Sequence, residues 1–186
     1  ILGIDNINDY YDSNLKLARL EQLKAYKNFK FEKVDIANRE SLTKVFTDFN
    51  PKKVVNLAAQ AGVRYGSENP YVYMESNLVG FLNIIELCRH NDVKSFIYAS
   101  SSSVYGSNKK IPFSVEDRVD KPIALYGATK KANELIAYSY SDLYDLHTTG
   151  LRYFTVYGPK QRPDMAFTRF FHSIIKDKKL IIFGNG

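Results

Sequence analysis

Residues 95–106 of this chain read SFIYASSSSVYG, an apolar run that ends in four consecutive serines. Apolar and aromatic residues of this kind favour a buried β-strand, which we expect to end near Ser100. Residues 126–130 read YGATK and open the next segment with a helical period. A strand that ends in polar residues and is followed by a helix is typical of an open α/β sheet, whose ligands bind beyond the carboxyl ends of the strands.

The same alternation extends outward in both directions. Short apolar runs predict strands at 1–5, 29–34, 53–58, 95–100, 148–153 and 180–183. Segments of helical period predict a first helix capped by Ser13 and further helices at 39–49, 70–89, 126–144 and 164–177. We therefore predict an α/β fold with a Rossmann-type, doubly wound parallel sheet. The irregular stretch 102–125 is long for a simple connection and indicates a functional loop.

Composition excludes several classes of protein. Lys and Arg number 26 against 20 Asp and Glu, but the basic residues are scattered, so we expect neither a nucleic-acid partner nor an anionic membrane. No run approaches the roughly 18 apolar residues of a membrane span. The single cysteine, Cys88, excludes a disulfide framework, and the three histidines lack ligand spacing, so we expect no metal. A reducing cytoplasm is the default location.

Ser101, Tyr126 and Lys130 form the strongest catalytic pattern. Tyr126 and Lys130 are four residues apart, so a helix places them on one face. A nearby ammonium lowers the pKa of a tyrosine from about 10 and lets it accept a proton from a sugar hydroxyl. Ser101, at the end of a strand, could hydrogen-bond the same oxygen. In isolation, a surface tyrosine and a solvated lysine would be the favoured interpretation of this pair. Its position 25 residues after a serine-rich strand end favours catalysis instead.

Two acidic residues end the first two predicted strands. A carboxylate at Asp5 can accept bonds from the ribose hydroxyls of an adenosine and would repel a 2′-phosphate, which favours NAD over NADP. Asp5 could equally be a helix cap or turn residue. Asp35 and Ile36 could frame the adenine edge, but the same pair could equally serve as a helix cap.

Together these motifs resemble the extended short-chain dehydrogenase/reductase family, and within it the NAD-dependent nucleotide-sugar epimerases. The resemblance covers essentially the whole chain, at residues 5–6, 35–36, 56–64, 76–77, 96–106, 126–130 and 151–159. It implies that the chain is truncated at both ends, lacking the first strand and the glycine-rich turn. It implies an NAD-binding domain over 1–163 and the start of a smaller substrate domain over 164–186. We expect this piece alone to be inactive.

The resemblance also implies the roles of individual residues. Tyr126 would be the base, Lys130 would lower its pKa and hold the nicotinamide ribose, and Ser101 would bind the reacting hydroxyl. A homodimer through two helices of each copy is expected by the same analogy. The cofactor-binding positions would be Asp5, Asn6, Asp35, Ile36, Leu57, Ala58, Ala59, Asn77, Tyr126, Lys130 and Tyr153.

Substrate choice is indicated by Ser102, Ser103, Thr155 and Arg162. Relatives that dehydrate or decarboxylate the sugar carry an acidic residue where Ser102 and Ser103 stand, so C4 epimerisation is favoured. The stretch 155–166 resembles the uronic-acid epimerases, which convert UDP-glucuronate to UDP-galacturonate through a 4-keto sugar. Arg162 could pair with the C6 carboxylate in a planar fork, or it could contact the diphosphate or lie on the surface.

Alternative functions stay open at this point. UDP-glucose or UDP-N-acetylglucosamine would use the same machinery in a different pocket, and a dehydratase or decarboxylase is less favoured. A catalytically silent NAD-binding sensor is a third class, but it would not need Ser101, Tyr126 and Lys130 together. Arg64 could reach an anionic group or form a surface ion pair.

Overall fold

The computed structural model of this chain describes residues 1–180 and 182. Its strands are β1 (Leu2–Asp5), β2 (Lys30–Lys33), β3 (Lys53–Asn56), β4 (Ser95–Ala99) and β5 (Thr148–Leu151). Its α-helices are α1 (Ser13–Lys24), α2 (Arg39–Phe49), α3 (Tyr71–Tyr73), α4 (Gly80–His90), α5 (Leu125–Tyr144) and α6 (Ala166–Ile175). Residues 181 and 183 of the strand predicted over 180–183 lie outside the described residues, so that strand stays a prediction.

The strands are parallel wherever they pair. β1 pairs with β2, and β3, β4 and β5 form a second sheet in that order. In the described part of the chain β1 and β3 are not joined by hydrogen bonds, so the strands are divided between two sheets. Parallel neighbours require crossover connections, and the helical segment 71–90 and α5 supply them on either side of β4. The parallel α/β architecture predicted from the sequence is confirmed.

The main core lies against β4. Successive strand residues point to opposite faces, and the buried residues of β4 are Phe96 and Tyr98, two positions apart. Their rings lie 5.5 Å and 5.3 Å from the ring of Phe81 on α4. Cys88 lies about two turns further along α4 and is fully buried, and burial raises the pKa of its thiol to about 12. This packing fixes the end of β4 relative to the helices around it.

The helix predicted over 70–89 contains a local change of winding. Pro70 stands just before α3, the residues Met74–Val79 wind as a π-helix, and α4 follows without a break. A π-helical turn inserts extra residues into the hydrogen-bond ladder and is common near functional sites. At its end, a Cβ on Gly80 would lie 2.5 Å from Cγ1 of Ile36, so only glycine fits there without rearrangement.

The cap of α1 differs from the prediction. Asp12, not Ser13, accepts the hydrogen bond from the backbone N–H of Asn14, and Ser13 is the first helical residue. Asp and Ser are both good N-caps, so composition alone could not separate two adjacent candidates.

The chain divides into two compact units. One contains residues 1–6 and 28–154, and the other contains 7–27 and 155–186. In the part of the chain that the structure describes, no helix is both long and apolar enough to cross a membrane. Over the same residues, no group of three or more potential metal-ligating side chains occurs.

Candidate active site

The end of β4 carries the predicted catalytic serine. Ser100 and Ser101 follow the strand directly, and both are buried. The Ser101 hydroxyl oxygen accepts a hydrogen bond from the backbone N–H of Ser103 at 3.1 Å, which caps a 3₁₀ turn over Ser102–Tyr105. The chain therefore turns sharply after the strand and holds the Ser101 hydroxyl at its carboxyl end.

The start of α5 lies against this turn. A Cβ on Gly127 would lie 2.6 Å from the carbonyl oxygen of Ser103, so glycine allows the helix to approach the turn closely. Tyr126 precedes Gly127 and is partly exposed, and its ring makes an edge contact with the buried ring of Tyr73, 6.5 Å between centroids. The structure thus brings the start of α5, with Tyr126, to the strand end that carries Ser101.

Lys130 is buried one turn after Tyr126. Its Nζ donates to the carbonyl oxygen of Ala99, the last residue of β4, at 2.7 Å. The ammonium also lies 5.9 Å from the ring centre of Tyr126. Burial lowers the pKa of Lys130 to about 8, because the charged form loses its hydration. The expected pairing of Lys130 with Tyr126 at the end of β4 is present in this geometry.

Asn77 connects the loop after β3 to α5. Its Oδ1 accepts from the backbone N–H of Gln60 at 2.8 Å, and its Nδ2 donates to the Gln60 carbonyl at 3.1 Å and to the Thr129 hydroxyl at 3.0 Å. The Thr129 hydroxyl in turn donates to the carbonyl of Tyr126. Asn77 lies in the π-helical turn and is fully buried, so its amide fixes the loop after β3 to α5.

Four other residues that were predicted to bind the cofactor lie at the ends of β1 and β2. Asp5 ends β1 with an exposed side chain, and the next residue, Asn6, donates from Nδ2 to Asp35 Oδ2 at 2.9 Å. Asp35 Oδ1 also accepts the backbone N–H of Ala37. The alternative role of Asp35 and Ile36 as a helix cap is wrong, because Asn38 caps α2 by accepting from the backbone N–H of Ser41. Ile36 is buried in the core beneath Gly80.

The loop after β3 carries three further predicted positions. Leu57 is exposed, whereas Ala58 and Ala59 are partly buried, and the Ala58 N–H donates to Asn56 Oδ1 at 3.1 Å. Arg64 lies in the same loop with an exposed side chain. Tyr153 follows β5, and its carbonyl accepts the Ser102 N–H at 2.8 Å.

The predicted substrate residues fall in both compact units. Ser102 and Ser103 are partly exposed in the 3₁₀ turn of the first unit, and Thr155 is exposed in the second. Arg162, also in the second unit, makes a two-point contact with Asp164, with both N–O distances at 2.9 Å. The guanidinium of Arg162 is therefore paired with a carboxylate of the chain itself, and its contact with a substrate carboxylate stays a prediction.

The sequence analysis did not identify Ser100, Glu134 and Arg152 as a connected group. The Ser100 hydroxyl donates to Glu134 Oε1 at 2.6 Å, and Arg152 binds both carboxylate oxygens of Glu134 at 2.9 and 3.0 Å. The sequence did contain one signal for Glu134, which is its position one helical turn after Lys130. Its partners come from two strand ends, which no local pattern reveals.

Comparison with known proteins extends these observations. The model of the NAD dependent epimerase/dehydratase family matches residues 7–186. The chain is 54% identical over 186 residues to "Protein CapI" of Staphylococcus aureus, covering 100% of this chain and 55% of that protein. It is 47% identical to the UDP-glucuronate 4-epimerase of Thermodesulfobacterium geofontis, covering 100% of this chain and 57% of that protein. The chain thus spans little more than half the length of these curated relatives.

Solved structures agree with the sequence comparison. The UDP-glucuronic acid 4-epimerase of Bacillus cereus, solved in complex with UDP-glucuronic acid and NAD, superposes with a TM-score of 0.91. That comparison has 36% sequence identity and covers 100% of this chain and 58% of the other. The parallel α/β fold, with Ser101 just after β4 and Tyr126 and Lys130 on α5, is thus accompanied by a family match over residues 7–186. The chain belongs to the NAD-dependent epimerase/dehydratase family.

Proposed function

We propose that the whole protein containing this chain is an NAD-dependent C4 epimerase of nucleotide sugars that interconverts UDP-glucuronate and UDP-galacturonate through a 4-keto sugar. The observation that carries this proposal is the buried ammonium of Lys130, held on Ala99 at the strand end that bears Ser101 and 5.9 Å from the Tyr126 ring. The named activity of relatives at 47% and 36% identity supports it.

The residues of this chain suit NAD as the cofactor. Lysine has three N–H donors, and Lys130 uses one on Ala99, which leaves two for the hydroxyls of a nicotinamide ribose. Asp5 and Asn6 at the end of β1, and Asp35 and Ile36 after β2, are proposed to hold the adenosine end. The loop positions Leu57, Ala58 and Ala59, with Asn77 and Tyr153, complete the proposed cofactor contacts. NAD, when bound, supplies a reversible hydride acceptor for C4 of the sugar.

Tyr126 is proposed as the acid–base residue. A positive charge near a phenol stabilises the phenolate, so the ammonium of Lys130 favours the form of Tyr126 that accepts a proton from the 4-hydroxyl. Ser101 is proposed to hydrogen-bond the same hydroxyl and keep it in line with Tyr126. The proton returns from Tyr126 to the sugar oxygen when the keto sugar is reduced on its other face.

The residues proposed to contact the substrate suit epimerisation of a uronate that keeps its carboxylate. Ser102 and Ser103 provide hydroxyl groups and no carboxylate, so the turn after β4 offers no extra acid or base for dehydration or decarboxylation. We propose that these serines, Thr155 and Arg162 bind the C6 carboxylate. Arg162 would then exchange its contact with Asp164 for the substrate.

Assembly and location belong to the same proposal. We propose a homodimer through α4 and α5, because Leu82 (43% exposed), Leu135 (59%) and Tyr138 (74%) present apolar surface on these two helices. Sedimentation equilibrium of the full-length protein would show a twofold mass, and a monomer would refute this point. We place the enzyme in the cytoplasm, in the synthesis of surface polysaccharides, and we divide the chain into an NAD-binding domain (1–163) and the start of a substrate domain (164–186).

The test uses the full-length protein and UDP-glucuronate, with products resolved by anion exchange and NMR. We expect UDP-galacturonate without release of CO2, and a loss of at least a hundredfold in kcat for Tyr126→Phe. Tyr26→Phe, at an exposed position, is the matched control and should retain wild-type kcat. Formation of a UDP-pentose, or epimerisation of UDP-glucose or UDP-N-acetylglucosamine in place of the uronate, would refute the proposed substrate.

A further inference from the structure

Ser100, Glu134 and Arg152 form a hydrogen-bonded group on the inner side of α5. The carboxylate of Glu134 accepts from the Ser100 hydroxyl at 2.6 Å and from Arg152 Nε and Nη2 at 2.9 and 3.0 Å. The side chains of Glu134 and Arg152 are only 14% and 17% exposed. The group therefore joins the end of β4, the middle of α5 and the end of β5, with its charged side chains largely buried.

The carboxylate lies one helical turn after Lys130. Lys130 binds the carbonyl of Ala99, and Glu134 binds the hydroxyl of Ser100, so two successive turns of α5 are attached to two successive residues of the strand end. The next residue is Ser101. Tyr126 lies on the same helix one turn before Lys130, so these two attachments constrain the position of its helix relative to the strand end that precedes Ser101.

Arg152 extends the group to the 3₁₀ turn over Ser102–Tyr105 and to the loop that follows this turn. Its Nη1 donates to the Tyr105 hydroxyl and to the Val115 carbonyl, both at 3.3 Å, and its guanidinium stacks 5.1 Å from the Tyr105 ring centre. Tyr105 is buried at the end of the 3₁₀ turn that begins after Ser101. The same cation thus holds the turn from its far end.

We propose that Glu134 is a positioning residue for the reaction, which acts through Ser100 and Arg152 to hold Ser101 at its working distance from Tyr126. This inference rests on the proposed function, because its main readout is the epimerisation rate. It assigns no contact with the sugar or with NAD to Glu134. Its contribution is the geometry of the two groups that do make such contacts.

The charge of Glu134 is needed for this role as well as its shape. Burial by itself would raise the pKa of its carboxyl group, but the hydrogen bonds from Arg152 and Ser100 and the charges of Arg152 and Lys131 outweigh burial and lower it. The group is therefore ionised throughout the neutral range. An amide at this position could accept one bond from Arg152 but would turn an N–H toward its second donor, because only a carboxylate accepts on both oxygens.

The experiment compares Glu134→Gln, Ser100→Ala and the double variant in the full-length enzyme. We expect Glu134→Gln to lower kcat on the order of tenfold or more while KM for UDP-glucuronate changes less than twofold, since displacements near 1 Å cost up to about a hundredfold. Ser100→Ala should lower kcat by a smaller factor. The double variant should be no slower than Glu134→Gln alone, because both changes break the same attachment.

Glu86→Gln is the matched control for a general loss of stability. Glu86 also accepts a hydrogen bond from a hydroxyl at 2.6 Å, that of Tyr140 on α5, and also binds an arginine, Arg89, at 3.2 Å. These two partners lie on α5 and α4, not at the end of β4. We expect Glu86→Gln to keep wild-type kcat even where its melting temperature falls as far as that of Glu134→Gln. Equal losses of kcat in the two variants, or an unchanged kcat in Glu134→Gln, would overturn the proposal.

Hydrogen exchange measured by mass spectrometry separates this inference from the proposed function. Peptides that cover residues 98–106 should exchange faster in Glu134→Gln than in the wild type, and Glu86→Gln should leave them unchanged. If the wild type fails to epimerise UDP-glucuronate, the proposed function is wrong, while the exchange result still reports on the attachment. Unchanged exchange at 98–106 in Glu134→Gln would overturn the inference regardless of substrate.

Discussion

Replacing Gly127 by Ala would test how closely α5 approaches the turn after β4. The new Cβ would lie 2.6 Å from the Ser103 carbonyl oxygen and 3.1 Å from its carbonyl carbon, both of them backbone atoms that cannot rotate away. A comfortable carbon–oxygen contact is about 3.3 Å, so helix and turn must separate by about 0.7 Å. Overpacking of this kind costs about 1–3 kcal/mol, and the better helix propensity of Ala offsets about 0.5–1 kcal/mol. We therefore expect a net loss of about 1 kcal/mol in the free energy of unfolding.

The same displacement should have a larger effect on activity. Tyr126 is the neighbouring residue and moves with the helix start, so we expect kcat for UDP-glucuronate to fall on the order of tenfold. Urea unfolding and steady-state kinetics of the full-length protein measure the two effects. Gly66→Ala is the matched control, since its Cβ would meet Leu125 and Tyr73 no closer than 3.5 Å and should be tolerated. Wild-type stability and kcat in Gly127→Ala would refute the close approach of α5 to Ser103.

Three further outcomes are expected. Asn77→Leu leaves the N–H and C=O of Gln60 unpaired, at about 1–3 kcal/mol for each buried group, and a melting temperature equal to that of the wild type would contradict the bonds described here. The pKa of Lys130 is lowered from 10.5 to about 8, so between pH 8 and 10.5 this residue binds fewer protons in the folded protein than in the unfolded protein. Stability should therefore rise across pH 8 to 10.5 by up to about 3 kcal/mol relative to Lys130→Met, and parallel curves for the two proteins would exclude it. Cys88 is fully buried with its pKa raised to about 12, so a thiol reagent at pH 8 should modify it only as fast as the protein opens; fast modification of native protein would be inconsistent with this burial.

Local pattern was sufficient for most elements. The helix predicted at 39–49 has the same bounds in the structure, and the five strands that lie wholly within the described residues were placed within about two residues of their ends. The spacing of apolar residues indicates which face of a helix or strand is buried, and this spacing can be read from residues that are close together in the chain. The π-helical turn at Met74–Val79 was not predicted, because a change of winding by part of a turn leaves the apolar period nearly intact.

The pairing of Tyr126 with Lys130 could be read from the sequence because helical geometry brings residues four apart onto one face. The place of Ser101 followed from the rule that ligands bind at the carboxyl ends of parallel strands. The burial of Lys130, and with it the lowered pKa, could not be read in this way. It depends on the packing of α5 against the end of β4, where Lys130 binds the carbonyl of Ala99, 31 residues away in the chain.

The sequence by itself determined the parallel α/β architecture and the family resemblance, since both depend on short-range period and on motifs of a few consecutive residues. Only the tertiary structure decided which polar groups meet, as in Asn77 with Gln60 and Glu134 with Ser100 and Arg152, whose members are 17, 34 and 18 residues apart. A buried polar group must find a partner, but many distant residues could satisfy it. The packing of α5 against the ends of β4 and β5 selects one of them, and that choice is made by the fold as a whole.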